Sequence, residues 1–216
     1  MNPKNRTLLI VAGAVLLVIV AAIVAVVATG GSDDSDSASE VAQTRPVEAT
    51  GDPLAPFQPQ DVDPAVDPTV GQAAPVVAGE NFEGQAISIG EPTEGPTLLV
   101  FLAHWCPHCN REIPALLELD DAGGIPADLN VVWISTAVAS DRPNYPPSEW
   151  VVDKGWRWPV MVDDESGTAL GYYGGTGFPF LVLLDSDGTV IARQSGESTP
   201  DQLDAWLTSH LGSGTL

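Results

Sequence analysis

The sequence predicts an α/β fold, a mixed sheet flanked by helices, preceded by one transmembrane helix and a disordered linker. Three observations predict it. Short apolar runs of strand length alternate with segments of helical spacing, the pattern of strands and helices packed in layers. The last two runs flank Ser186-Asp187-Gly188, a hairpin signal that makes the sheet mixed rather than purely parallel. A long uncharged apolar run opens the chain.

That opening run, Leu8 to Ala28, follows Lys4 and Arg6. A helix needs roughly 20 apolar residues to cross a bilayer, and no polar stripe interrupts this one. Residues 1–28 are read as a cytoplasmic N-terminus and an anchor contacting the lipid bilayer through residues 8–28. The positive-inside bias sends the remainder outside. The run exceeds the usual apolar length of a cleaved signal, although Val26 and Ala28 leave cleavage open. Residues 29–75 read as an acidic, proline-rich linker. The stretch begins with Gly, Ser and Asp and is studded with prolines from Pro46 to Pro75. Such a composition buries too little apolar surface to offset its conformational entropy, so a solvated spacer is expected.

Residues 76–216 hold both cysteines and all six tryptophans. Residues 86–90 alternate and suit a strand. Residues 97–103, TLLVFLA, form the continuous apolar run of a strand buried on both faces. A helix is expected from Pro107 to Asp121, with Pro107 in its first turn and Pro114 kinking it. Residues 130–136 and 159–164 read as strands. Ser148 to Lys154 is expected to be a short helix capped by Ser148, and Glu165 to Gly171 another. Residues 179–185 and 189–194 form the hairpin. Thr199 caps a closing helix that carries Leu203, Trp206 and Leu207 on one face.

Composition excludes some functions. The chain has 29 acidic and 8 basic residues, a formal net charge of −21. It cannot present the clustered Lys and Arg that phosphate binding needs, so no nucleic-acid partner is expected. Two cysteines are too few for a disulfide-stapled scaffold or, by themselves, a four-ligand zinc site. They suffice for one redox pair.

Their spacing points to that chemistry. In Trp105-Cys106-Pro107-His108-Cys109 the first cysteine lies between a buried strand and a helix start. Unpaired N–H groups and the helix dipole favour a thiolate there, the attacking species. Cys109 follows one turn on. Cys106 is assigned as nucleophile and Cys109 as resolving thiol, with a protonated His108 adding positive charge near Cys106. A structural disulfide and a copper or zinc site built from Cys106, Cys109 and His108 are the alternatives. The metal site lacks a fourth ligand placed by sequence.

These residues resemble a known family. The WCxxC motif, Pro114 in the following helix, Glu112-Ile113-Pro114 and the downstream Gly177-Phe178-Pro179 resemble the membrane-tethered, extracytoplasmic TlpA/ResA-like group of thioredoxin-fold proteins, over residues 76–216. The resemblance implies a cis bond at Pro179. It implies that the backbone of Phe178, beside Trp105 and Pro107, holds the substrate's cysteine-containing strand. It also implies that Glu112 accepts a proton from Cys109. The buried aspartate of thioredoxins is replaced here by Val100. Pro107-His108 is the dipeptide of the oxidising DsbA-like branch, while the rest of the scaffold looks reductase-like, so direction stays open.

The expectation is a single-pass, membrane-anchored thiol-disulfide oxidoreductase with an extracytoplasmic catalytic domain and no added cofactor. Its partners are cysteine-containing exported proteins and a membrane redox partner. A metal carrier and a peroxiredoxin-like peroxidase are the rivals. His104 is placed at a capping or surface position, with the active-site rim as the alternative. Trp150, Trp156 and Trp158 are expected to pack into the core, and the tyrosines of residues 171–177 are candidates to line a substrate groove.

Overall fold

A computed structural model describes residues 41–58 and 67–212. Eight strands form one mixed sheet: β1 (Glu48–Thr50), β2 (Val76–Glu80), β3 (Ala86–Ile89), β4 (Thr97–Leu102), β5 (Asn130–Ser135), β6 (Val160–Val162), β7 (Phe180–Leu184) and β8 (Val190–Ser195). Their order is β1-β2-β6-β5-β4-β7-β8, with β3 also paired to β2. Central β4 runs parallel to β5 and antiparallel to β7. The helices are α1 (Pro107–Asp121), α2 (Pro147–Asp153), α3 (Thr168–Tyr172) and α4 (Pro200–Leu211).

Every residue of β4 is buried, and the strand's alternation explains how one run serves two cores. Leu98, Val100 and Leu102 join Ile113 and Leu116 of α1, Trp150 of α2, and Leu203 and Leu207 of α4. Leu99 and Phe101 point to the opposite face and join Ala169, Tyr173 and Phe180. The expected continuous run and the helices on both faces therefore stand. Thr199 and Gln202 form the reciprocal cap of α4.

Three local expectations change. Ser148 lies inside α2, whose cap is Pro146 without a side-chain bond. Gln43 reaches across to Ser148 instead, with Oε1 accepting from its amide at 3.0 Å and Nε2 donating to its hydroxyl at 3.0 Å. The third helix starts at Thr168 rather than Glu165. Here Asp164 accepts from Ser166 and Thr168 and bends the intervening residues into a turn. Tyr173 does not line a groove. It is fully buried and donates to the Pro75 carbonyl at 2.9 Å.

The expected spacer is also corrected. Its described parts, residues 41–58 and 67–75, pack on the domain. β1 pairs with β2, and Leu54 and Phe57 are buried in the second core. Full burial of such side chains contributes about 1.5–3 kcal/mol each, which the proline-rich composition conceals. Arg193 on β8 secures the segment: its guanidinium donates to Asp67 at 2.8 Å and to the carbonyls of Ala55 and Tyr173 at 2.9 Å. Burial alone would raise the Asp67 carboxyl, but Arg193 and the amide and hydroxyl of Thr69 outweigh it and hold it below the usual carboxylate range. Gly174 permits the close approach. Its φ is +74°, and a Cβ there would stand 2.4 Å from the Ala55 carbonyl oxygen. Among the described residues no helix is long and apolar enough to cross a membrane. The expected anchor, residues 1–28, lies outside the described residues, as do linker residues 29–40 and 59–66.

Candidate active site

The site forms where β4 ends and α1 begins. Cys106 is the N-cap of α1, in extended backbone conformation, and its sulfur accepts from the Cys109 amide at 3.4 Å. A Ser or Asp would ordinarily fill this position to satisfy a free helix N–H. Here a sulfur receives that donor, together with the positive end of the helix. Pro107 occupies the first turn, where its missing N–H costs no hydrogen bond. The Cys106 thiol also points at the Phe178 carbonyl, 3.8 Å away. The Phe178–Pro179 peptide is cis. The Phe178 ring meets Trp105 edge-on at 6.0 Å.

Cys109 is fully buried one turn behind. Burial pushes its thiol well above the usual cysteine range, and contact with Cys106 and the charge of Glu112 push the same way. Such a sulfur reacts only if something takes its proton. Glu112 is the neighbouring acid. It is also fully buried, and one carboxyl oxygen accepts from the Ser198 amide at 2.7 Å. Its other oxygen has no hydrogen-bond partner. Desolvation raises its pKa to about 7, opposed by the Ser198 amide and assisted by the charge of Glu197. A carboxyl half-protonated near neutrality can accept and return a proton.

His108 points outward. Its Nδ1 lies 2.7 Å from a Glu197 carboxylate oxygen and 3.0 Å from Arg111 Nη2. Arg111 donates to the same carboxylate through Nε, at 2.9 and 3.1 Å to its two oxygens, and through Nη2. Arg111, first, and His108 hold the Glu197 carboxyl below its ordinary range. The side chain expected to add positive charge near Cys106 thus turns toward a carboxylate. Among the described residues, no group of three potential metal ligands comes together.

Other residues hold the frame. His104 is buried rather than superficial; its Nδ1 donates to the Pro143 carbonyl at 2.8 Å and its Nε2 accepts from the Ala139 amide at 3.1 Å. Trp105 Nε1 donates to the Ala137 carbonyl at 2.7 Å. Asn110 donates to the Cys106 carbonyl at 2.9 Å and accepts from Trp150 Nε1 at 3.0 Å. Trp150, Trp156 and Trp158 pack on this core. Sequence reasoning missed Asn110, Glu197 and Ser198. Asn110 lies next to the motif and could have been singled out as a polar residue on a core-facing helix. Nothing in the sequence ties Glu197 or Ser198 to a helix that starts 90 residues earlier along the chain, roughly, because local periodicity does not encode sheet order.

Known proteins share this arrangement of elements. The family model Redoxin matches residues 69–207. Thiol-disulfide oxidoreductase ResA of Bacillus anthracis is 28% identical over 138 residues, spanning 64% of this chain and 76% of that protein. Sporulation thiol-disulfide oxidoreductase A of Bacillus subtilis (strain 168) is 27% identical over 128 residues, 59% of this chain and 74% of that protein. The crystal structure of the thioredoxin domain of a thiol-disulfide oxidoreductase from Bacteroides vulgatus superposes with a TM-score of 0.52 at 22% identity, covering 65% of this chain and 96% of that one. The last likeness is one of fold.

Proposed function

The chain belongs to the Redoxin family, and from that premise we propose that it is a membrane-tethered, extracytoplasmic thiol-disulfide oxidoreductase acting on cysteine-containing exported proteins through Cys106 and Cys109. Its class, thiol-disulfide oxidoreductase, is that of its relatives. The observation that carries the residue assignment is the pairing of a capped, donor-facing sulfur with a buried thiol that has its own base.

The Cys106 thiolate attacks one sulfur of a substrate disulfide. The substrate S–S bond breaks, a Cys106–substrate disulfide forms, and the leaving thiolate takes a proton from water. Glu112 then takes the Cys109 proton. The Cys109 thiolate attacks Cys106 Sγ, closing the Cys106–Cys109 disulfide and expelling the second substrate thiolate, which is protonated. Two electrons pass from the enzyme dithiol to the substrate, and the reverse sequence oxidises a substrate dithiol. The Phe178 main chain beside Pro179 receives the substrate strand, with Trp105 and Pro107 forming the rim. The anchor of residues 8–28 keeps this face outside the membrane, and a membrane redox partner restores the pair.

Trapping tests the assignment. A Cys109→Ser chain given a disulfide-containing protein is expected to accumulate a mixed disulfide at Cys106, and a Cys106→Ser chain to form none. Exchange that survives in Cys106→Ser overturns it. Equilibration of wild type with glutathione is expected to give a relatively oxidising couple, from Pro107-His108; a disulfide as hard to reduce as a structural one overturns that direction.

A further inference from the structure

The turn between β8 and α4 grips α1 on both sides. On the outer side the Glu197 carboxylate lies 2.7 Å from His108 Nδ1 and binds the Arg111 guanidinium through two nitrogens. On the inner side the adjacent residue, Ser198, donates its amide to Glu112 at 2.7 Å. Arg111 and the His108 imidazole therefore share one carboxylate, supplied from a distant turn. Arg111 also interacts electrostatically with Cys106. The charged and titratable groups around this end of α1 are His108, Arg111, Glu112 and Cys109 on the helix, Glu197 on the turn, and Arg142, whose guanidinium stacks on Trp105 at 5.6 Å to the ring centre.

We propose that Glu197 is a positioning residue that restrains the oxidising strength of the Cys106–Cys109 couple by binding His108 and Arg111, the basic side chains on the first turns of the helix that Cys106 caps. Thiolate charge at Cys106 exists only in the reduced form, so positive charge nearby favours reduction and a carboxylate opposes that effect. Glu197 works at one remove: it touches neither sulfur, and its influence passes through two side chains whose charge it shares. The cluster is partly open to water, with side-chain exposures of 59% for His108, 56% for Arg111 and 38% for Glu197, so the effect is moderate. The proposal rests on Cys106 being the attacking sulfur.

The experiment uses the full chain. Glu197→Gln keeps shape and removes charge. It is expected to shift the equilibrium with glutathione about three- to tenfold toward the reduced enzyme, tenfold being about 30 mV for this two-electron couple. Iodoacetamide alkylation of Cys106 at pH 6 should quicken about two- to fivefold, as more of the sulfur is thiolate. Glu197→Asp should stay near wild type in both readouts. In a His108→Asn, Arg111→Met background, Glu197→Gln should produce no shift. An unchanged or opposite shift in Glu197→Gln, or the same shift in the doubly substituted background, overturns the proposal. A wild type that fails to exchange with glutathione counts against the exchange reading, and the alkylation arm still decides the role of Glu197.

Discussion

Two strand-to-helix junctions of this sheet each bury a carboxylate, and they are built to opposite ends. Asp163 follows β6 and is fully buried. Its two oxygens accept from Thr136 Oγ1 at 2.7 Å and from the amides of Asp164, Ala169 and Leu170 at 2.9, 2.9 and 3.2 Å. Glu112 sits behind the β4–α1 junction, equally buried, with one amide and one oxygen left without a partner. Desolvation raises both carboxyls. Burial alone thus does not mark a reacting acid. A buried carboxylate with every lone-pair direction taken locks a loop to a helix, whereas one with an idle oxygen beside a protonated thiol has somewhere to put a proton.

The largest expected effect breaks the pair apart by activity. Glu112→Gln should slow the Cys109 step about 10²–10⁴-fold, read as the lifetime of the mixed disulfide, while Asp163→Asn should leave that lifetime unchanged. Equal slowing in both would dissolve the distinction. The second effect separates them by stability. Asp163→Ala strands buried donors and should cost about 2–4 kcal/mol in denaturant unfolding. Glu112→Gln should cost far less, since it removes a charge whose burial was poorly compensated.

The third sharpens the contrast through pH. The Glu112 carboxyl titrates near 7 when folded against 4.5 for the free group, so the folded state binds this proton more tightly. Its contribution favours folding below about pH 4.5 and is lost as pH rises through about 7, by up to about 3 kcal/mol. Glu112→Gln should flatten that part of the stability curve; an unaltered slope would mean that Glu112 is ionised with a partner. The smallest effect concerns the frame. Trp150→Phe deletes the bond to Asn110 and should cost about 1 kcal/mol, with Cys106 alkylation little changed.

Much of this architecture was legible in the chain. β4, β5, β7 and β8 announce themselves as apolar runs, and α1 and α4 by spacing and caps. Cys106, Cys109 and Glu112 lie within two turns of one helix, so their proximity follows from helix geometry alone. The packed segment 41–58 was not legible. Leu54 and Phe57 are isolated apolar residues among prolines and acids, and only the tertiary packing, which sets them in one core with Tyr173 and Phe180, shows that they are buried.

The sequence by itself determined the alternation of strand and helix, the cysteine pair one turn apart and the acid a turn beyond it, because these depend on residues a few positions apart. Only the tertiary structure decided which distant groups complete the site. Glu197 meets His108 across 89 residues, Ser198 meets Glu112 across 86, and Arg193 meets Asp67 across 126. Strand order and helix docking create such contacts, and neither is written in the periodicity of any single segment.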